Sequence, residues 1–108
     1  MSLPVSIIIP VKAINDYIHE AIPHLLALDY SDFEILIFPD ELPDYALPPL
    51  FLDSRIHIIP SGKTGPAEKR DMALKYAKGS IFAFIDDDAY PRSDWLKNAV
   101  KWFADEAI

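Results

Sequence analysis

Apolar residues along the chain fall into short saturated runs alternating with longer stretches of helical spacing. Val5-Ser6-Ile7-Ile8-Ile9-Pro10-Val11 is rich in β-branched residues and bracketed by prolines, which predicts a buried strand. Asn15 or Asp16 is placed to cap a helix whose apolar positions are Ile18, Ala21, Ile22, Leu25 and Leu26. That spacing gives one stripe to lay against a sheet, and Pro23 within it is expected to kink or split the helix. Phe33–Phe38 predicts a second strand, stopped by Pro39. Prolines and acids crowd residues 39–49, which predicts a loop with at most one helical turn around Tyr45 to Phe51. Ile56–Ile59 reads as a third strand ending at Pro60. Gly62 and Gly65 make a bend, and Pro66 suits the first turn of a helix running to about Ala77. Ala73, Tyr76 and Ala77 form its expected inner edge, and Gly79 stops it. The fourth strand, Ile81–Ile85, runs directly into Asp86-Asp87-Asp88. After Pro91, Ser93 is placed to cap a last helix in which Trp95, Leu96, Val100, Trp102 and Phe103 supply core.

Strand and helix alternate, which predicts an α/β fold with a mostly parallel sheet of about four strands and flanking helices. In such sheets ligands bind beyond the carboxyl ends of the strands. Those positions are Lys12, Asp40, the segment Ser61 to Arg70, and Asp86 to Asp88.

With 108 residues the chain suits a single domain, residues 1–108, with one core. Its 51% apolar and 25% charged content is that of an ordinary globular protein. No apolar run has the length of a membrane span and no leader opens the chain, so a soluble, cytoplasmic protein is expected. The absence of cysteine excludes disulfides, thiolate metal sites and a cysteine nucleophile. Seventeen acids against ten bases give a net charge of −7, which argues against nucleic acid as a partner. A small ligand reached through local positive charge or a metal ion is compatible with it.

The aspartate triplet is the sharpest chemical feature. Adjacent carboxylates at a buried strand end repel one another, and a hard divalent cation such as Mg²⁺ or Mn²⁺ relieves that cost. On extended backbone Asp86 and Asp88 point to one side and Asp87 to the other, leaving two carboxylates for a metal and a diphosphate. A solvated acidic turn is the plainer alternative. Asp40, after the second strand, is placed to accept a ring N–H from a nucleobase, or simply to make a turn. Such an acceptor favours uracil over cytosine, and guanine also offers a ring donor. Gly62-Lys63-Thr64 lacks the upstream glycine of a phosphate loop, which excludes that motif. The helix entry at Gly65 with Lys69 and Arg70 in its first turns still suits an anion, unless both bases lie on the wet face. His19, His24 and His57 have no ligand spacing.

Taken together these motifs resemble the nucleotide-binding half of family-2 glycosyltransferases with the Rossmann-like GT-A fold. The resemblance rests on Val5 to Val11, Phe33 to Ile37 leading to Asp40, Gly65-Pro66-Ala67 followed by Arg70, and Ala77 to Asp88 as a strand plus DxD element. It implies transfer of a sugar from a nucleoside diphosphate, with a UDP-sugar favoured, to an acceptor the sequence does not name. By the same resemblance Pro10, Lys12, Asp40, Gly65, Arg70, Asp86 and Asp87 would bind the nucleotide, while Asp86 and Asp88 would hold Mg²⁺ or Mn²⁺. The family's acceptor region and catalytic base lie beyond the DxD element, so no catalytic residue is assigned. The chain is therefore expected to be an incomplete catalytic domain that turns over little alone. Self-association as a homo-oligomer is expected through apolar surface around Trp95, Val100 and Phe103. A non-catalytic nucleotide-sugar-binding or interaction domain is the alternative. A dehalogenase-like phosphatase also places DxD after a strand, but Tyr90 and the late position of the motif disfavour it.

Overall fold

The computed structural model describes residues 3–86 and 92–106, with side chains described as far as residue 101. Asp87 and Asp88, and the side chains of Trp102 and Phe103, lie outside the described residues. Four strands, β1 (Val5–Pro10), β2 (Phe33–Phe38), β3 (Ile56–Ile58) and β4 (Ile81–Phe84), pair in the order β3-β2-β1-β4. Every pairing is parallel, with Ile7 opposite Ile35 on one side and opposite Ala83 on the other. The helices are α1 (Asp16–Leu26), α2 (Pro66–Tyr76) and α3 (Trp95–Glu106), and a 3-10 turn covers Pro49–Leu52. The expected α/β class holds.

Alternation along the strands sorts side chains to two faces. Val5, Ile7, Ile9, Ile35 and Ile37 face α1, where Ile18, Ala21, Ile22 and Leu25 are all buried. Phe51 of the 3-10 turn and Leu96 of α3 complete that core. Ile8, Leu36 and Phe38 face α2 and meet Ala73 in a smaller cluster.

Asn15 is the cap of α1, its side chain accepting from the Ile18 N–H at 3.0 Å. Pro23 does not split the helix. It is exposed, and its missing N–H costs one turn's bond, on the order of 3 kcal/mol. Burial of the four apolar residues of the stripe, about 1.5–3 kcal/mol for each large one, outweighs that. Tyr76 does not belong to the inner edge of α2. It is 45% exposed, and the buried positions are Ala73 and, one turn earlier, Lys69. Ser93 does not cap α3 either, since the Asp94 carbonyl accepts from Asn98 and the helix opens at Trp95.

The connection from β1 through α1 leads to β2 on one side, and α2 carries the chain back to β4 on the other side of β1. Strand order therefore reverses at β1. This is where open parallel sheets form a ligand crevice.

Candidate functional site

Backbone pairing continues past the strand ends and fixes a ledge of polar residues. The Asp40 N–H donates to the Lys12 carbonyl at 2.9 Å, Ser61 N–H to the Pro39 carbonyl, and Gly62 N–H to the Asp40 carbonyl, also at 2.9 Å. Ile85 N–H donates to the Ile8 carbonyl and sets the exposed Asp86 beside the end of β1. Gly62 has φ +81°, a left-handed turn that favours glycine, and the chain then enters α2 with Gly65 at its cap.

Two open clefts flank the ledge. One, of about 390 Å³, is lined by Pro10, Val11, Lys12, Asn15, Gly65 and Lys69 among others. The second, of about 410 Å³, is lined by Lys12, Asp40, Asp44, Tyr45 and Lys63 among others. Lys12 is exposed and borders both.

Between them sits a feature that the sequence alone did not assign. Lys69 is only 2% exposed, and its Nζ donates to Asp40 Oδ1 at 2.7 Å and to Ser61 Oγ at 2.5 Å. Of the two bases expected near the helix entry, Lys69 is thus buried and Arg70 exposed. A signal exists in the spacing, because Lys69, Ala73 and Ala77 recur every four residues along one helix stripe. Arg70 reaches toward β4, its guanidinium carbon 5.9 Å from the centroid of the Phe84 ring. Phe84 lies two residues before Asp86.

Pro10, Lys12, Asp40, Gly65, Arg70 and Asp86 thus gather at the carboxyl edge of the sheet, whereas Asp87 and Asp88 fall outside the described residues. Among the described residues no group of three or more metal-binding side chains occurs. The donor chemistry nonetheless fits a hard cation, because Asp86 is an exposed carboxylate that two further carboxylates follow in sequence. His19 is a structural residue here. Its Nε2 lies 3.0 Å from Tyr45 Oη, its ring meets the Phe51 edge, and Tyr45 Oη donates to the Ile14 carbonyl. These contacts tie the acidic loop to α1. No described helix is long and apolar enough to cross a membrane.

Comparison with known proteins follows the same lines. The uncharacterized glycosyltransferase EpsJ of Bacillus subtilis is 34% identical over 97 residues, covering 82% of this chain and 27% of EpsJ. The poly(ribitol-phosphate) beta-N-acetylglucosaminyltransferase TarS of Staphylococcus aureus is 30% identical over 108 residues, covering 94% of this chain and 19% of TarS. The chain therefore spans about a fifth to a quarter of the length of these curated relatives. A crystal structure of S. aureus TarS 1-349 in complex with UDP superposes with a TM-score of 0.75 at 25% identity, over 95% of this chain and 32% of that one. The mannosyltransferase PcManGT of Pyrobaculum calidifontis, solved with GDP-Man and Mn²⁺, shares the fold with a TM-score of 0.80 at 24% identity, over 96% of this chain and 33% of that one. The model of glycosyl transferase family 2 matches residues 6–108, and the chain belongs to that family.

Proposed function

We propose that residues 1–108 act as one nucleotide-sugar-binding unit, the donor-binding part of a longer glycosyltransferase domain. Its ligand is a nucleoside-diphosphate sugar, UDP-linked by preference, with Mg²⁺ or Mn²⁺ held by Asp86 and Asp88. The observation that carries this reading is the meeting of Lys12, Asp40 and Asp86 at one end of a parallel sheet, beside the strand where the order reverses. Membership of glycosyl transferase family 2 and likeness to a UDP-bound relative support it.

Each residue has a definite task. Asp40 keeps Oδ2 available beside its bond to Lys69 and accepts a ring N–H from the base. The exposed Lys12 and Arg70 offer positive charge to phosphate. Asp86 and Asp88 would supply hard oxygen ligands to a divalent cation, which when bound would offset negative charge on the leaving diphosphate. The sugar acceptor and the catalytic base belong to the rest of that longer domain. Trp95 and Val100, expected to be uncovered, are half-buried against the larger core, so contact with a second copy of the chain rests instead on the exposed Phe82 and Phe84 of β4.

Calorimetry with UDP, with and without Mn²⁺, tests the assignment. Binding is expected only with the cation and should be abolished in Asp88→Ala. Cation-independent binding, or an unchanged affinity in that variant, overturns it.

A further inference from the structure

We infer that Lys69 is a specificity-determining residue that, with Asp40, reads two adjacent atoms of the nucleobase: a ring N–H and the carbonyl beside it. The inference rests on the nucleotide-binding reading above and adds a residue and a recognition rule to it. Lys69 is an ammonium buried to 2% exposure on an α2 stripe otherwise filled by Ala73, a position that plain packing would give to an apolar residue. An ammonium carries three N–H donors. Asp40 Oδ1 takes one at 2.7 Å and Ser61 Oγ takes another at 2.5 Å. Lys69 also lines the cleft bounded by Pro10, Lys12 and Gly65, so its third donor has an approach from solvent. Asp40 lines the adjoining cleft, and the two clefts share Lys12.

The bond from Lys69 Nζ to Asp40 Oδ1 at 2.7 Å holds the two groups side by side, so that the third ammonium donor and the carboxylate Oδ2 form a fixed two-point probe. Uracil presents N3–H next to the C4 carbonyl, which matches a carboxylate oxygen and an ammonium donor in turn. Guanine presents N1–H beside the C6 carbonyl and matches equally. Cytosine and adenine present the reverse, an acceptor nitrogen beside an amino group, so each would set donor against donor and acceptor against acceptor. The pair therefore selects the edge of the base and leaves ring size to the walls of the cleft. Ser61 fixes the ammonium from the far side, anchored through its own bond to the Pro39 carbonyl at 3.3 Å. A salt bridge serving only stability would have no such requirement, and well-packed apolar residues commonly replace such a pair without loss.

The test compares UDP, CDP, GDP and ADP, each with Mn²⁺, on the wild-type chain and on Lys69→Met. The wild type should prefer UDP and GDP over CDP and ADP. In Lys69→Met the UDP:CDP preference should narrow by about tenfold, with UDP weakened and CDP unchanged or tighter. A purely structural lysine would weaken all four nucleotides together and leave the ratio unchanged, and that result overturns the inference. Equal weakening of UDP and CDP alone overturns it too, because that is what contact with the C2 carbonyl shared by both pyrimidines would produce. Should Lys69→Met fail to fold, Lys69→Arg keeps the charge but not the compact donor geometry, and the same narrowing is expected. A wild-type chain that binds none of the nucleotides refutes the nucleotide-binding reading itself, an outcome distinct from an unchanged ratio.

Discussion

Two polar clusters lie on the same face of the sheet, at opposite ends, and they differ in what their hydrogen bonds tie down. At the amino end Ser6 is fully buried, and its hydroxyl donates to Glu34 Oε2 at 2.6 Å. Gly79 N–H donates to Ser6 Oγ at 2.8 Å, and Lys78 N–H donates to Glu34 Oε2 at 2.7 Å. Each partner is a fixed part of the chain, and the cluster locks the entry of β4 against β1. At the carboxyl end, Lys69, Asp40 and Ser61 also bury charge and polarity, but the ammonium keeps one donor and the carboxylate one oxygen beyond their mutual contacts. A cluster that holds backbone N–H groups locks the fold, whereas a buried ammonium bonded only to side chains, with a donor left at a cleft, is able to bind something. Equal burial therefore does not mean equal purpose.

Substitutions at the amino end should damage stability and leave base selection alone, the opposite of what is expected at Lys69. Gly79→Ala has the largest expected effect. A Cβ there would lie 2.6 Å from the Ser6 nitrogen and 2.8 Å from the Val5 carbonyl carbon, and this backbone, buried and paired on both sides, has little room to move. The loss should be about 3 kcal/mol or more, the upper end of overpacking costs, read by chemical denaturation. A stability within about 0.5 kcal/mol of wild type, the scatter of ordinary surface substitutions, would show that the amino end is not locked.

Ser6→Ala should cost less. It leaves the Gly79 N–H without its acceptor and removes one donor to Glu34, a loss of about 1–3 kcal/mol. The ratio of UDP to CDP affinity should not change in this variant. A shifted ratio would mean that the two clusters are coupled through α2 and would break the division between them.

The smallest effect concerns a carboxylate outside both clusters. Asp53 accepts from Arg55 Nε and Nη2, each at 3.0 Å, while the Arg55 guanidinium also stacks 5.0 Å from the Phe33 ring centroid. The side-chain bond from Arg55, helped by the Arg55 N–H, holds the Asp53 carboxyl down at about 2. A depressed carboxylate contributes stability that is complete above its unfolded value, about 3.9, and is lost as pH falls through the folded value. The contribution is therefore intact at neutral pH and fades from about pH 4 down to about 2. Arg55→Ala should return the NMR titration of Asp53 toward about 3.9. A midpoint still near 2 in that variant would show that another group holds the charge.

How much of this is legible in the sequence depends on whether the deciding contacts are local. Asn15 as a cap, Phe33–Phe38 as a strand and the helix opening at Pro66 rest on periodicity and turn chemistry within a few residues, and the structure has them in place. The break expected at Pro23 does not occur because the burial of the α1 stripe, a tertiary effect, exceeds the cost of one missing N–H. Candidate site positions follow from a general rule about strand ends, and so Lys12, Asp40 and Asp86 can be named from the chain alone.

By itself the amino-acid sequence determined the alternation of strands and helices, the acidic strand end, and the set of residues eligible for chemistry. Only the tertiary structure decided which of them touch. Lys69 and Asp40 are 29 residues apart in sequence, and although the spacing of Lys69, Ala73 and Ala77 marks one stripe, nothing local shows that Asp40 and Ser61 meet Lys69 until α2 is laid across the sheet. Periodicity fixes which side of a helix is inward. The partner met on that side is fixed by strand order, and strand order emerges only when all four strands are paired.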